Sequence, residues 1–456
     1  MILKFSKESV PIRVESGLRR ERIDIMLPRL STIAGRIIDE YGDPLEGAHV
    51  QVYRRQFIRG RRRLVEVSGN ANARDTDDLG RYRIPNLEPG RYVVGAFLGG
   101  GDVQHADDLP GYTTTYWPGT TAGAEAREVA VAIAIDTADV DIALARAPTS
   151  SVNGTAFTSS GEPFRGEVLL NRSERSGSAT TTPLTARVDR TGRFEFRHAP
   201  PGDYVLQAYT GWRSESAEGE FASQFVTLAG SDVAGLLVRT TPGSTISGRI
   251  RFAESTLRSA RDVSVQAISA DPDLTPLIGA PARAEIRDDW TFQMSGVSGP
   301  RRLRVVEAPF GWDVQAIYLN GTDVTDTPLL FGSIAPEVRG VEVVLTPRVT
   351  EVMGTVTDTA GNPDFRCGVT IFAADRQLWY ANSRYLAYRT CGRDGTFTVR
   401  RLPAGEYLIA AAPSVPSGQS GDEWMEPALL GGLASRATRV VLTEGQKITV
   451  STKAIR

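Results

Sequence analysis

The chain has little of what most enzymes are built on. Its 456 residues include only three histidines and two cysteines. His49 falls in a strand-like stretch, His105 in the loop His105-Ala106-Asp107-Asp108, and His198 just before a Pro-Pro-Gly turn. No His-x-x-Glu or His-Glu-x-x-His motif occurs, so zinc peptidase chemistry has no ligand set. A Gly-x-Ser-x-Gly elbow and a phosphate-binding Gly-Lys-Ser/Thr loop are also missing. Neither sign of charge dominates, with 52 Lys and Arg against 54 Asp and Glu. That balance argues against a dedicated nucleic-acid binder and against an acidic disordered tail. No apolar run reaches the about 18 residues that a spanning helix needs. Helical patterning is confined to two short stretches, near 121–128 and 427–436. The start, Met1-Ile2-Leu3-Lys4-Phe5, has neither an apolar h-region nor a cleavage site, so it carries no legible secretory signal.

Glycine (45) and proline (26) are abundant, and the glycines fall at regular places. Four markers recur in order. The first is a short apolar strand with a central glycine: Ile33-Ala34-Gly35, Val152-Asn153-Gly154, Ile246-Ser247-Gly248 and Val352-Met353-Gly354. Two copies run on into the turns Gly42-Asp43-Pro44 and Gly361-Asn362-Pro363. The second is an alternating strand, seen at His49–Tyr53, Val263–Ala267 and Val369–Phe372. The third is a polar turn and an aromatic strand, followed by Pro-Gly-x-Tyr. It reads Gly80-Arg81-Tyr82 with Pro89-Gly90-Arg91-Tyr92, Gly192-Arg193-Phe194 with Pro201-Gly202-Asp203-Tyr204, and Gly395-Thr396-Phe397 with Ala404-Gly405-Glu406-Tyr407. A degenerate copy has Trp290-Thr291-Phe292, then Gly299-Pro300, with Leu303 where the tyrosine would stand. Period-two alternation puts Tyr82/Ile84, Phe194/Phe196 and Phe397/Val399 on a core face. The fourth is a closing pair of strands, such as 127–131 with 140–144 and 438–442 with 448–450. The marker glycines recur every ~100 residues, the size of a two-sheet sandwich. The Pro-Gly-x-Tyr ring is expected at the sandwich edge as a tyrosine corner.

These motifs resemble the carboxypeptidase regulatory-like domain, a transthyretin-like (prealbumin-like) sandwich also grouped with carbohydrate-binding-like folds. The resemblance implies an all-β chain: a tandem array of four small Greek-key-type β-sandwiches, with a partial fifth at the N-terminus. The expected division is 1–30 as closing strands of a truncated preceding sandwich, 31–147, 148–243, a degenerate 244–348, and 349–456. The stretch from Gly311-Trp312 to Asn320-Gly321 and Asp323 to Asp326 looks like large bacterial surface proteins built of such units. The namesake domain rides beside a zinc carboxypeptidase, which is absent here. Val10-Pro11-Ile12-Arg13-Val14 and Arg22–Leu27 match a closing pair, so the chain is expected to begin inside a domain with its signal peptide upstream.

Asp75-Thr76-Asp77-Asp78-Leu79-Gly80 superficially suggests a calcium loop. It lacks the full ligand spacing and the trailing Glu, and Asp and Gly are ordinary residues of a hairpin turn. Asp323 and Asp326 read the same way. Arg54, Arg55, Arg59, Arg61, Arg62 and Arg63 form a basic run at an expected hairpin tip. It reads as a solvated loop that discourages edge pairing, or as a contact for an anionic partner such as lipopolysaccharide or acidic glycan. Cys367 opens one strand and Cys391 closes the next long one. If those strands pair antiparallel, a disulfide is geometrically reasonable; two buried free thiols in a reducing compartment is the alternative. Trp117, Trp212, Trp312 and Trp424 each follow the Pro-Gly-x-Tyr strand of their repeat. Tyr112, Tyr116 and Trp117 are the candidate glycan contact, since sugar faces stack on aromatics. Against that, each aromatic can cover one end of its own sandwich or seal a contact between neighbours.

The expectation is a non-catalytic extracytoplasmic structural or binding protein, secreted, periplasmic or on the cell surface, with no cofactor and no metal. Polysaccharide or cell-envelope proteins are its expected partners. The alternatives are an array of carbohydrate-binding modules and an unrecognised hydrolase. Short linkers at Ala147-Pro148-Thr149 and Thr241-Pro242-Gly243 suggest a fairly stiff chain of beads.

Overall fold

In the computed structural model the described residues are 30–455 apart from 59, 68–73, 99–111, 147, 174–182, 211–218, 255–261, 278–281, 333–334 and 414–421. Residues 1–29 of the truncated sandwich expected over 1–30, His105, Trp212 and Arg59 lie outside them. Strands dominate over helix, and they form four successive pairs of facing sheets. Each pair encloses a separate apolar cluster, centred on Ile33 and Val94, on Val152 and Leu206, on Ile246 and Val343, and on Val352 and Ile409.

One topology repeats. In each unit the marker strand sits at the centre of one sheet: Ser31–Ile38, Ser150–Phe157, Ser244–Phe252 and Glu351–Thr357. It pairs antiparallel with the aromatic strand: Arg81–Leu87, Arg193–Ala199, Thr291–Val297 and Thr396–Arg400. On its other side it pairs in parallel with the last strand of the unit, for example Val233–Arg239 and Lys447–Lys453. The facing sheet is built on the alternating strand and the Pro-Gly-x-Tyr strand, as with Ala48–Ile58 on Gly90–Leu98 and Cys367–Ala373 on Gly405–Pro413. The closing strands therefore do not pair with each other. Thr438–Leu442 joins the second sheet and Lys447–Lys453 the first, so the turn between them crosses from one sheet to the other.

This arrangement explains the marker glycine. A Cβ on Gly154, Gly248 or Gly354 would overlap the carbonyl oxygen of Leu236, Val341 or Val450 on the parallel last strand, and one on Gly35 that of Val140, between the short parallel strands Asp136–Thr137 and Ile142–Ala143. From the antiparallel side, the ring of Tyr82, Phe194, Phe292 or Phe397 lies over the same glycine. An aromatic laid over a strand glycine restores the contact area the missing side chain forfeits. In the first unit the ring also carries a hydroxyl, and Tyr82 donates to the Val140 carbonyl at 2.7 Å.

The remaining motifs are structural as well. Tyr92, Tyr204 and Tyr407 donate to the carbonyls of Glu88, Pro200 and Pro403, four residues back, at 2.7, 2.9 and 2.8 Å. Leu303 takes the same place without a hydroxyl and is buried. The Gly-x-Pro turn is present in the second unit too, as Gly161-Glu162-Pro163. There Phe157 bridges to Pro163, as Ile38 does to Pro44 and Thr357 to Pro363. The degenerate third unit keeps the left-handed turn before its aromatic strand but fills it with Trp290, φ 64°, where the others have Gly80, Gly192 and Gly395. The Trp290 ring packs edge-on against Phe252 at 4.7 Å, covering an edge that has no Gly-x-Pro turn of its own. Helical structure forms over Pro427–Ala434 but not over 121–128, where Gly123 and Ala126 carbonyls accept instead from Arg55, at 2.9 and 2.7 Å.

The units do not form an open row of beads. The hairpin of Ala48–Ile58 and Arg61–Glu66 reaches from the first unit to the fourth. Its Phe57 is buried among Trp379, Leu408, Met425, Leu430 and Leu433. The Asp422 amide donates to the Phe57 carbonyl at 2.8 Å, and Arg62 grips Glu426 through Nε, at 3.0 Å, and Nη2. The described part of the arginine run is therefore engaged within the chain, which corrects its reading as a solvated loop. Arg54 donates to the Tyr92 hydroxyl and stacks over that ring, Arg63 is buried, and Arg61 approaches the buried Asp273 of the third unit at 4.0 Å. The expected linker Thr241–Pro242 is itself a strand, paired with Glu220–Phe221. Between the second and third units, Ser173 donates to Asp273 at 2.7 Å, and Gln207 donates to the Asp273 and Thr275 carbonyls at 3.2 and 3.0 Å.

Two outcomes test this account. Gly354→Ala should cost roughly 1–3 kcal/mol, the usual range for overpacking, whereas Gly431→Ala, in the helix with open space around it, should stabilise by about 0.5–1 kcal/mol. Urea unfolding of the two variants measures the contrast. Phe57→Ala should speed amide hydrogen exchange in Pro427–Ala434 while leaving the first unit's central strands protected; an unchanged helix would refute the docking.

Candidate ligand-binding groove

The fourth sandwich is open along one side. There the edge strand of one sheet, Leu386–Thr390, lies beside the edge strand of the other, Thr396–Arg400. A groove of about 470 Å³ runs between them, lined by Arg384, Tyr388, Arg389, Arg400, Arg401 and Trp424 together with apolar residues of both strands. That size lies within the range of small-ligand sites. No Asp or Glu is among the lining residues.

Each wall has an identifiable support. Cys367 and Cys391 are joined as a disulfide with Cα atoms 5.5 Å apart. It pins the end of the edge strand to Cys367–Ala373, next to the Cys391 amide's hydrogen bond to the Cys367 carbonyl at 2.9 Å. Trp424 sits in the short turn Glu423–Met425, the segment that the first unit's hairpin holds through Asp422 and Glu426. Its ring stacks on Tyr388, centroids 5.9 Å apart and planes 28° from parallel. Trp424 and Tyr388 are both half-buried. The third unit contributes the rim: Phe310, 88% exposed, lies under the Arg400 guanidinium at 5.5 Å, and Arg401 donates to the Ala308 carbonyl at 3.3 Å.

The arginines differ in how far they are engaged. Arg384 is held by a two-point contact to Asp326, 3.0 and 2.9 Å, in a junction that also takes Arg304 and the Tyr380 hydroxyl. Arg400 is paired with Glu351 at 2.8 Å. Arg389 and Arg401 hydrogen-bond only to backbone carbonyls, those of Tyr388 and Ala308, among the described residues. Asp313 lies behind Arg401 and Arg384; burial pushes its carboxyl up to about 6, against the opposing pull of the Val314 amide and the two arginines.

The residues singled out from sequence fall elsewhere. Tyr116 is buried, edge-on to Tyr53 at 5.9 Å. Tyr112 and Trp117 are half-buried and pack against the first unit's own core. The Tyr112 hydroxyl donates to Glu40 at 2.6 Å; burial and that carboxylate push the phenol up to about 12. Tyr116 packs in a separate cluster with Tyr53, Leu64 and Val93 of the same unit, and Tyr112 and Trp117 cover the core of their own sandwich. Trp312 does likewise, edge-on to Phe252. Asp77 accepts the Leu79 and Arg81 amides at 3.0 and 2.7 Å and closes a turn. Asp189, Asp289 and Asp394 do the same work in their units, each held below the usual carboxylate range first by a threonine hydroxyl. Asp323 binds the Thr325 amide at 2.9 Å. Among the described residues no group of three His, Cys, Asp or Glu converges as a metal site, and no helix is long and apolar enough to cross a membrane. Sequence reasoning missed the groove, although Trp424 belonged to the recurrent tryptophan slot; its partners Tyr388 and Phe310 carried no repeat signal.

No family profile matches the chain, and no curated protein matches it. Solved structures that resemble it include the Bacillus anthracis TIE protein, 10% identical, covering 95% of this chain and 76% of that one with a TM-score of 0.18. GBS52, the minor pilin of Streptococcus agalactiae, is 14% identical over 46% of this chain and 95% of its own, with a TM-score of 0.24. Two B repeat units of the Staphylococcus aureus collagen binding protein are 10% identical over 93% of this chain and 99% of theirs, with a TM-score of 0.18. The fold assignment rests on the sheets themselves, since scores this low carry no weight in it.

Two expectations follow. Asp313 has a folded pKa above its unfolded value. Its contribution to stability is therefore full below about pH 4 and is lost as pH rises through about 6. Asp313→Asn should abolish that decline in urea-unfolding curves taken between pH 4 and 7. The disulfide spans 24 residues, so Cys367→Ser with Cys391→Ser should lower stability by about 3–4 kcal/mol. A loss that 1,4-dithiothreitol reproduces in the unmutated protein, but not in the variant, would confirm the source.

Proposed function

We propose that this chain is a non-catalytic extracytoplasmic structural or binding protein built of carboxypeptidase regulatory-like repeats. The observation that carries this reading is where the recurring residues are used. The marker glycines receive a neighbouring strand, the tyrosines close corners, and the turn aspartates bind backbone amides. The residues that repeat thus maintain the sandwich. The most heavily engaged charges, Asp326 with Arg384 and Arg62 with Glu426, join one unit to another. The extracytoplasmic part draws on the disulfide, a bond that persists in oxidising compartments. Its partners are polysaccharide or cell-envelope proteins.

The carbohydrate-binding alternative draws little from Tyr112, Tyr116 and Trp117, whose rings pack on their own unit. It draws more from the fourth unit, where Phe310, Tyr388 and Trp424 border a groove. Two measurements test the main reading. Fractionation of source cells should recover the protein outside the cytoplasmic membrane, and recovery only in cytosol would overturn the location. Purified protein should turn over no peptide, ester or glycoside; an activity that follows the protein through every purification step would overturn the absence of catalysis.

A further inference from the structure

We propose that the groove of the fourth sandwich binds a carboxylate-bearing sugar chain, an acidic polysaccharide, with Arg389 and Arg401 taking the carboxylates and Phe310, Tyr388 and Trp424 the sugar faces. The inference deepens the binding half of the function proposed above. It rests on arginines and aromatic rings brought together along one groove.

The lining holds four arginines and no carboxylate. Two of them are neutralised from behind by Asp326 and Glu351. Arg389 and Arg401 make their side-chain hydrogen bonds to neutral carbonyls, which leaves most of each guanidinium's donors unused, and of the two only Arg401 has a carboxyl, Asp313, behind it. A guanidinium fork matches a carboxylate with two parallel hydrogen bonds, which gives orientation as well as attraction. Arg401 is also held in the left-handed region, φ 69°, so its side chain leaves the strand end in a direction an extended residue would not take.

The aromatic residues argue for a sugar instead of a bare anion. Phe310 exposes 88% of its surface, so its ring is open to a ligand. The Arg400 guanidinium sits over that ring, and the same arginine lines the groove. The half-buried Tyr388–Trp424 stack forms part of the lining and offers ring edges and faces with polar handles. Cations beside aromatic surfaces fit a chain whose units each carry one apolar face and one carboxylate.

The test is isothermal titration calorimetry of the full chain with oligogalacturonate, with neutral dextran oligomers and poly-glutamate as comparisons. Oligogalacturonate should bind, more weakly as sodium chloride is raised, and dextran oligomers should not. Arg389→Gln combined with Arg401→Gln should weaken binding at least about tenfold, one charge-assisted contact's worth or more. Phe310→Ser should weaken it severalfold; both Arg389 and Phe310 are exposed, and circular dichroism should be unchanged in both variants. Absence of oligogalacturonate binding overturns the proposal. So does binding that survives the arginine double variant, and so does equal affinity for poly-glutamate, which would remove the sugar from the recognition. A protein that binds none of these yet fractionates outside the cytoplasm leaves the structural role standing while this proposal falls.

Discussion

Every unit depends on the close approach of its last strand to its first. The last strand arrives in parallel, and its carbonyl oxygen occupies the space where a side chain would stand on Gly154, Gly248 or Gly354, as that of Val140 does on Gly35. Parallel pairing requires a crossover, here made by the strands of the facing sheet. The chain therefore cannot seal the sheet of the marker strand until the rest of the unit is in place. The ring of Tyr82, Phe194, Phe292 or Phe397 then covers the glycine from the other side. A bare strand position is thus held between a backbone and an aromatic plane. Close packing of this kind leaves little tolerance for added volume, and the same solution appears in all four units, including the third, whose turns and corner have drifted.

Where the units meet, the chemistry changes from apolar packing to buried or half-buried charge. Asp326 gathers Arg384, Arg304 and Tyr380, and Asp273 gathers Ser173 with Arg61 nearby. Such pairs contribute little net stability after desolvation, but removing one partner leaves a costly unpaired charge. They fix orientation more than they add affinity. The clasp of the first unit on the fourth combines both kinds of contact, with Phe57 in an apolar socket and Arg62 on Glu426 at its rim. That clasp holds the turn carrying Trp424, while the loop of the third unit carrying Phe310 meets Arg400 and Arg401. Residues from three sandwiches therefore support a single groove.

Much of each sandwich could be read from the one-dimensional pattern. Alternation marked the core faces of Tyr82/Ile84 and Phe397/Val399, both buried, because side chains in a strand alternate whatever the strand pairs with. Turn residues were legible for a similar reason: Asp77 and Gly80 act on backbone within four positions. The Gly161-Glu162-Pro163 turn carries no signal beyond its three residues, and the closing strands at 438–442 and 448–450 read as a pair although they enter different sheets. Their separation is a matter of where the chain crosses, and local patterning is silent on crossings. The arginine run read as solvated because charge clustered in a loop ordinarily is; Arg54, Arg55 and Arg62 found a phenol, backbone carbonyls and a carboxylate 364 positions away.

The sequence by itself determined the repeating unit, its length, its turns, its corners and the absence of recognisable catalytic motifs, since each of these rests on interactions between near neighbours or on composition. Only the tertiary structure decided how the units sit against one another, which aromatic residues became cover and which border a groove. Tyr116, in the short strand Thr115–Tyr116, is buried against Tyr53, whereas Phe310, in a turn, stands in solvent beside Arg400. That difference is set by contacts between residues distant in the chain, and strand alternation and turn chemistry hold no record of them.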